Sequence, residues 1–491
     1  MKQLLKYIPA LALACVAFSC KPDFEDIEAT NFTKGELDFT KYVATGDYIT
    51  AGYTNGGISR ESQQYAYPNI LAQQFAKAGG PVTPFVQPYF NGSTLMLTLG
   101  SEVVNGVPKV NNAQEMQQFL NANCSANPLP TYPRFSSDVA TTESLQNLGV
   151  PGLKFTQFRR INLGLNSNNT NAVTDDYNPF FERLIPENDG RSYMRVVNSS
   201  KPTFFTLWLG MSDVIPYALS GASCGTLPSS ATFNTELITA LDSLSQVVKQ
   251  ADNSFKSTRK GVICNIPAIE FYAFTKLADP AKLRDNYRIK KGDQSLQIWA
   301  QKQTVQGVTS NTVLEVASDD YILPKGLATL GREDATLDTR NINGVDQIIP
   351  HGLSKENPLT NEEILDATET KFINSRITAY NKAMRDRLVV SNSNQENISR
   401  YVGMVIYADI ERLFSDVNAG LIYNGIRYSA TPFSGGFFSL DNFTLTPRGQ
   451  AMVANEIIQT MNQEPGMTIL AGFGTKVPQV NVNDYPVLKL Q

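Results

Sequence analysis

Histidine is nearly absent from this sequence, since His351 is the only one among 491 residues. A histidine base, or a metal site with several histidine ligands, would have to be built around that residue. Basic runs of five or more residues are missing too. The sequence contains 42 Lys and Arg residues and 46 Asp and Glu residues, which gives a formal charge of −4. Because nucleic-acid binding needs a concentrated positive surface, we expect no nucleic-acid partner.

Metal-binding and phosphate-binding motifs are also missing. The adjacent acidic residues Asp175 and Asp176, and likewise Asp319 and Asp320, have no further ligands at a useful spacing. No glycine-rich loop of the Walker or Rossmann type occurs. We therefore expect neither a metal ion nor an organic cofactor.

The composition is that of a folded globular protein, with 42% hydrophobic and 18% charged residues. The length allows two or three domains, or one large α/β domain with insertions. Beyond the N-terminal segment, no apolar run reaches the length of about 18 residues that a membrane-spanning helix needs. The sequence thus predicts a sizeable core and no transmembrane helix.

The N-terminal residues have the pattern of an export signal. Lys2 and Lys6 precede an apolar run over residues 7–18, and this run ends just before Cys20. The arrangement resembles a bacterial lipobox, which implies a signal peptide over residues 1–19 and acylation of the Cys20 thiol. Cys15, inside the apolar run, is a weaker alternative, and a plain secretory signal with a chance cysteine is another.

Residues 20–38 follow as an acidic segment without apolar periodicity, which predicts a lipidated, solvated tether. The acidic residues after Cys20 also resemble the surface-export signals of some Gram-negative lipoproteins. This resemblance implies a lipid-anchored protein of the outer membrane, held at the cell surface.

Three cysteines remain downstream. Cys264 lies in an apolar run and is predicted to be buried in a strand, whereas Cys124 and Cys224 lie among turn-forming residues. Because an exported protein meets an oxidising compartment, we predict a disulfide between Cys124 and Cys224. Mass spectrometry of a non-reduced digest tests it, and two free thiols would refute it.

Short apolar runs alternate along the chain with segments of helical periodicity. Buried strands are predicted at 42–44, 203–209, 261–266 and 402–408. Helices are predicted around 70–75, 237–248 and 372–388, and after a Thr446-Pro447 cap. This alternation predicts an α/β fold with a doubly wound, mostly parallel sheet.

Two stretches interrupt the alternation, at about 82–146 and 275–365. Both are rich in Asn, Thr, Gly and Pro, and their short alternating runs predict loops and hairpins. We interpret them as insertions into one domain over residues 39–465, followed by a C-terminal extension over 466–491.

Four segments of this domain follow one another at predicted strand ends or helix starts. They are Gly46–Gly52 (GDYITAG), Asn147–Gly152 (NLGVPG), Trp208–Asp213 (WLGMSD) and Gly435–Gly449 (GGFFSLDNFTLTPRG). In this order they resemble the first, second, third and fifth sequence blocks of the SGNH hydrolases, also called the GDSL hydrolases. The resemblance implies a flavodoxin-like three-layer fold and an ancestry among ester-cleaving enzymes.

The four blocks depart from that family at the residues that perform catalysis. Tyr48 stands where the family has its nucleophilic Ser, Ser212 where it has an oxyanion-binding Asn, and Thr444 where it has the His base. Gly152 and Asp441 match the oxyanion-hole Gly and the Asp that orients the base. Since nucleophile and base are both replaced, we expect these five positions to be a vestigial site without physiological esterase activity.

Two routes to activity remain conceivable from the sequence. His351 lies in the second insertion and would serve as a base if that insertion folded over the cleft, although a loop histidine without a function is the simpler interpretation. Tyr48 would serve as a nucleophile only with a carboxylate beside it, and Asp47 is expected to point away in an extended loop. Polar residues near the blocks are expected on surface loops, namely Ser59, Ser62, Arg159 and Arg160.

The expected function is therefore that of an outer-membrane lipoprotein that binds rather than cleaves. The family's lipoproteins imply an outer-membrane β-barrel protein as a partner, and the insertions offer a surface for a protein, a glycan or a lipid ligand. The alternatives are an active GDSL-type esterase or lipase that uses atypical residues, and a glycan-binding or lipid-binding module.

Overall fold

The computed structural model describes residues 31–112, 116, 120, 132–135, 141–165, 177–252, 254–302, 312–388, 400–465 and 472–487. Its centre is a sheet of five parallel strands. In chain order these are β1 (Tyr42–Gly46), β2 (Asn147–Gly149), β3 (Phe204–Trp208), β4 (Lys260–Cys264) and β5 (Val405–Ala408). They lie side by side in the order β2-β1-β3-β4-β5, which is the order of flavodoxin-like sheets.

Helices flank this sheet. The α-helices in the described part of the chain are α1 (Tyr48–Ala51), α2 (Arg60–Gln64), α3 (Tyr67–Lys77), α4 (Pro179–Glu182), α5 (Tyr193–Ser200), α6 (Met211–Leu219), α7 (Ser230–Ser245), α8 (Pro280–Lys291), α9 (Pro324–Thr329), α10 (Ala367–Asp386), α11 (Ile410–Ala419) and α12 (Pro447–Asn462). Helix α3 packs against α12, and α7 packs against both α5 and α10. The predicted α/β class with a parallel central sheet is confirmed.

The sequence signals for the central elements have a physical basis in the structure. Every residue of β3 is buried, as expected for a parallel strand covered on both faces. Helix α12 begins as predicted, because the Thr446 hydroxyl accepts a hydrogen bond from the Gly449 N–H at 3.1 Å and Pro447 occupies the first helical position.

The end of α7 differs from the prediction. The apolar periodicity extends this helix to Val248, but the helix ends at Ser245 because Gln246 adopts a left-handed conformation with φ +46°. Val248 is exposed and pairs with Lys256 in a short hairpin. Apolar spacing alone does not record the residue at which a helix stops.

The insertions contain the predicted hairpins and more. In the first, Thr98–Val104 pairs with Val107–Asn111. In the second, three antiparallel pairs occur, formed by Trp299–Lys302 with Thr312–Glu315, Tyr321–Ile322 with Ile364–Leu365, and Thr339–Ile342 with Val345–Ile348. The second insertion also holds helices α8 and α9, which the sequence reading did not assign, and a small hydrophobic core of its own.

Short connections outside the sheet complete the domain. Thr33 pairs with Lys476, and Val480 N–H donates to the Asn455 side chain at 2.8 Å. Leu37 is buried, so the folded unit includes parts of the segments assigned above to the tether and to the C-terminal extension. The remaining strand pair, Ile422–Tyr423 with Ile426–Arg427, is a hairpin after α11.

Two predictions concern the cysteines and the membrane. Cys264 is buried and free in β4, as predicted. Cys224 is disulfide-bonded, whereas Cys124, like Cys15 and Cys20, lies outside the described residues, so the pairing stays a prediction.

Across the described ranges, the structure contains no helix that is both long and apolar enough to cross a bilayer.

Candidate functional site

Three of the four motifs meet at one edge of the central sheet. Gly46, the last residue of β1, lies in register with Gly149 at the end of β2 and with Trp208 at the end of β3. A side chain at Gly46 would place its Cβ 2.1 Å from the Thr50 hydroxyl and 2.5 Å from the Trp208 carbonyl. The turn after β1 therefore requires glycine, and it sets the next two residues against the end of β3.

Asp47 connects the first motif to the third. Asp47 is expected from the sequence to point away from Tyr48 if the loop is extended, but the loop is not extended, because residues Tyr48–Ala51 form a helical turn directly after Asp47. Its carboxylate accepts a hydrogen bond from the Ser212 backbone N–H at 2.9 Å. Asp47 is thus held inside the protein, at the same edge as the other motif residues.

Burial shifts the protonation of two carboxyl groups here. It raises the pKa of Asp47 to about 7, an effect that the Ser212 N–H opposes and the nearby Asp213 charge reinforces. Burial likewise raises the pKa of Asp213 to about 6, although its carboxylate accepts a 2.7 Å hydrogen bond from the Phe155 N–H. The stabilising contribution of both groups is complete below the unfolded pKa of 3.8 and is lost as the pH rises through these values.

Tyr48, at the nucleophile position, is part of the core. Its side chain is 1% exposed, and its ring contacts Tyr53 and Phe443 with centroid separations of 5.4 and 5.3 Å. Burial, the Asp47 charge and the Asp441 charge raise the phenol pKa well above its ordinary value, and the Ser212 hydroxyl only partly offsets them. The neighbouring carboxylate therefore opposes ionisation of Tyr48 instead of promoting a nucleophilic phenolate.

Ser212 is fully buried at the start of α6. Its hydroxyl makes no hydrogen bond of regular geometry, yet it lies close enough to Asp47 and Tyr48 to lower the pKa of both. The backbone N–H of Ser212 is used by Asp47. Neither polar group of this residue faces solvent, where a substrate would arrive.

Asp441 and Thr444 form the most completely bonded part of the site. The Asp441 carboxylate accepts four hydrogen bonds, from the N–H groups of Gly56, Phe443 and Thr444 and from the Thr444 hydroxyl. Thr444 is fully buried, and its hydroxyl also lies 2.9 Å from the Ser439 hydroxyl. Thr444 thus contacts Asp441 through a hydroxyl, which cannot accept a proton near neutral pH.

Gly152 lies in the turn that follows β2. It has φ +76°, a left-handed conformation that favours glycine. Within the described residues its N–H donates to no protein acceptor. Among the described residues, the backbone N–H of Gly152 is therefore a donor without a protein acceptor at the end of the second motif.

His351 is not part of this edge. It belongs to the second insertion, where it is buried, with Nε2 2.8 Å from a Glu363 carboxylate oxygen and Nδ1 3.1 Å from the Asn357 amide oxygen. The idea that it folds over the cleft as a base finds no support in these contacts. As the simpler interpretation has it, His351 lies in a turn of that insertion, and its two ring nitrogens both contact side chains of the insertion's interior.

The other polar candidates have structural partners. Ser59 and Ser62 cap helix α2 through reciprocal hydrogen bonds, and Arg159 forms an ion pair with Glu236. Arg160 is exposed. These residues lie outside the group formed by Asp47, Tyr48, Ser212, Asp441 and Thr444.

Of the two acidic pairs, only Asp319 and Asp320 lie in the described part of the chain. Asp320 forms an ion pair with Lys302, Asp319 is exposed, and Asp175 and Asp176 lie outside the described residues. No cluster of three or more His, Cys, Asp or Glu side chains that could hold a metal ion occurs in the part of the chain that the structure describes.

Sequence reasoning missed three residues that complete the site. Asp213 adjoins Ser212 in the third motif, but nothing in the sequence shows that it caps Phe155. Ser439 supports Thr444 and accepts a hydrogen bond from the Asn55 N–H at 3.0 Å. Asn55, with φ +51°, precedes Gly56-Gly57, and this turn signature is the one clue that could have identified the loop that Asp441 binds.

Comparison of this chain with protein-family models, with curated proteins and with solved structures returned no match. Function must therefore be argued from the geometry of the motifs.

Proposed function

We propose that this chain is a catalytically inactive SGNH-like lipoprotein of the outer membrane, which acts as a binding or accessory subunit. The observation that carries the proposal is the Asp441 carboxylate, whose four hydrogen bonds all stabilise the local backbone and Thr444. An orienting Asp needs a base to orient, and none is present at this position.

The SGNH likeness itself is supported by the way the motifs assemble. The first three meet at one edge of a 2-1-3-4-5 sheet, and the last contacts the loop after the first through the hydrogen bond from the Gly56 N–H to Asp441. Ligand sites of open parallel sheets lie beyond the carboxyl ends of their strands. Four motifs that are distant in sequence therefore share the place where a hydrolase would hold its substrate.

The first test measures ester turnover. We expect no turnover of p-nitrophenyl acetate or butyrate by the natural chain, because nucleophile and base are replaced and any residual catalysis is at most roughly 10³-fold over water. The revertant Tyr48→Ser/Ser212→Asn/Thr444→His restores the family residues, and Tyr48→Ser removes the ring beside Asp441. We expect it to hydrolyse ester.

The matched control is Ser212→Asn/Thr444→His, which keeps Tyr48 and so lacks the nucleophile. Turnover by the triple variant but not by this control would support the likeness to SGNH hydrolases. Enzyme-like rates from the natural chain would contradict the proposed loss of catalysis.

The second test concerns the anchor. We expect Cys20→Ala to move the protein from the membrane fraction to the soluble fraction, because acylation needs that thiol, and Cys15→Ala to leave it in the membrane. Fractionation of cells that carry each variant measures this. The reverse pattern would assign the lipid to Cys15, and release in neither variant would refute lipid anchoring.

The proposed partner is an outer-membrane β-barrel protein. Co-purification of the natural protein from detergent-solubilised membranes tests this partner, and recovery of no β-barrel protein would count against it.

A further inference from the structure

A groove lies beside the loop that binds Asp441. It is lined by Thr54 and Asn55, by helix α2, by residues 96–99 at the start of the first hairpin, and by Pro486 and Val487. Its volume is about 190 Å³. A volume this small limits a ligand to a small molecule or one end of a larger one.

The lining of the groove combines apolar surface with a few polar groups. Leu97, Leu99, Leu440 and Pro447 supply apolar area, and the described lining contains no Lys, Arg or His. Glu61 is the only charged residue of the described lining. Because that lining supplies no cation to pair with an anion, the groove disfavours phosphates, sulfates and fatty acids.

Several polar groups in the lining are free to bind a ligand. The Asn55 side-chain oxygen accepts from the Leu440 N–H at 3.0 Å, but its amide NH₂ has no acceptor among the described residues. The Tyr65 and Thr98 hydroxyls likewise have no described partner, whereas the hydroxyls of Ser59 and Ser62 are used in capping α2. The groove thus offers one free amide donor and two hydroxyls that can donate or accept.

The Tyr65 ring adds a flat apolar surface. It lies 6.2 Å from the Tyr485 ring, in an edge-on arrangement, and it is half-buried. A pyranose presents an apolar C–H face and a rim of hydroxyls, which matches an aromatic ring bordered by amide and hydroxyl groups. A fatty acyl chain would leave those polar groups unpaired at a cost in affinity.

We propose that this groove binds a neutral carbohydrate, with one sugar ring against Tyr65 and its hydroxyls bonded to Asn55 and Thr98. The inference rests on the proposed function only in treating the chain as a binding protein, and it does not require the SGNH likeness.

The test uses the full mature chain and saturation-transfer NMR with calorimetry. The probes are neutral mono- and disaccharides (glucose, galactose, N-acetylglucosamine, maltose and cellobiose), with glucuronate and decanoate as anionic comparators. We expect saturable binding of at least one neutral sugar and weaker binding of both anions. Binding of decanoate in preference to every sugar, or no saturable binding of any sugar at millimolar concentration, would overturn the proposal.

Variants locate the binding. Asn55→Asp keeps the oxygen that Leu440 needs but removes the amide donor, and we expect it to weaken sugar binding about tenfold. Tyr65→Ala and Thr98→Val should also weaken it. The exposed Asn286, on helix α8, provides the matched control Asn286→Asp, which should bind normally. Equal affinity of Asn55→Asp and Asn286→Asp would refute this groove as the site.

The two proposals fail in different ways. Ester turnover by a chain that still binds sugar in this groove would overturn the loss of catalysis alone. A chain that is silent toward esters and binds no sugar would overturn the carbohydrate site alone.

Discussion

Asp441→Ala is expected to lower the free energy of unfolding by about 3 to 9 kcal/mol, because it leaves three buried backbone N–H groups without acceptors at roughly 1–3 kcal/mol each. Those N–H groups belong to Gly56, Phe443 and Thr444. The Thr444 hydroxyl loses its acceptor too. Asp441 is 4% exposed, so water cannot readily replace the carboxylate. Chemical denaturation followed by intrinsic fluorescence measures the effect.

Asp416→Ala is the matched control for Asp441→Ala. Asp416 forms an exposed i,i+4 ion pair with Arg412, and such pairs contribute only about 0–1 kcal/mol. Asp441→Asn should lie between the two, because it keeps one acceptor oxygen but sets an NH₂ group against a neighbouring N–H. Equal stability of Asp441→Ala and Asp416→Ala would contradict the role assigned to this carboxylate.

This expectation changes how an activity test should be interpreted. Loss of function in Asp441→Ala would not identify a catalytic Asp, because the variant is expected to be destabilised. The Tyr48 and Thr444 substitutions are the informative ones for catalysis, since they alter the nucleophile and base positions while Asp441 keeps its bonds to Gly56 and Phe443.

The second large effect concerns His351. Both ring nitrogens face acceptors, Glu363 and Asn357, so the doubly protonated ring satisfies both contacts. Burial lowers the pKa of His351, but the hydrogen bonds to Glu363 and Asn357 and the Glu363 charge outweigh burial and the Arg332 charge, and the net pKa is raised. Burial also opposes ionisation of Glu363, yet the hydrogen bonds from His351, Thr329 and Thr360 hold its pKa at about 2.

The sign of the pH dependence follows from the raised pKa. Stability contributed by protonated His351 is fully present below its ordinary pKa of 6.5 and is lost as the pH rises through the higher folded value. Further charges reach this group through Asn357, which accepts a hydrogen bond from Arg340 and donates one to Asp338. Asp338 in turn pairs with Arg332.

His351→Ala is expected to destabilise the second insertion by about 3–5 kcal/mol, the cost of breaking a buried ionic pair. Urea denaturation at two pH values, one below 6.5 and one alkaline, measures this cost, and the difference from the natural chain should shrink at alkaline pH. The stability contributed by Asp47 and Asp213 also falls as the pH rises. Because both proteins contain these two residues, their contribution cancels when the variant is compared with the natural chain. Lys325→Ala, which breaks an exposed ion pair with Glu362, is the control and should cost about 0–1 kcal/mol.

The single histidine makes the pKa directly measurable. In protein purified without a histidine tag, one imidazole signal titrates in the NMR spectrum, and its pKa should lie above the ordinary value of 6.5. Glu363→Gln removes the partner charge and should lower that pKa. A natural pKa below the ordinary value, or one unchanged by Glu363→Gln, would contradict the assigned pairing.

Much of the sheet could be predicted because buried parallel strands appear in the sequence as continuous apolar runs. The runs that became β3 and β4 are examples, and the start of α12 was marked by its cap. The end of α7 could not be predicted, because a non-glycine residue, Gln246, takes the left-handed conformation that stops it.

The site was only partly predictable, for a related reason. The motifs identify Tyr48, Ser212, Asp441 and Thr444, but a sequence does not show which acceptors a carboxylate finds across the fold. The Asp441–Gly56 hydrogen bond spans 385 residues, and the position of Asp47 depends on a helical turn only four residues long. The hydrogen bonds of His351 depend on the second insertion's own core. The composition of that insertion is typical of loops and therefore did not predict a core.

The central claim is that no activated nucleophile exists at the edge of the sheet where the motifs meet. Incubation of the natural chain with a fluorophosphonate, followed by mass spectrometry of the intact protein and its peptides, tests that claim most directly. We expect no covalent adduct on the natural chain, and an adduct on residue 48 of the Tyr48→Ser/Ser212→Asn/Thr444→His variant. An adduct on Tyr48, Ser212 or Thr444 of the natural chain would contradict the account.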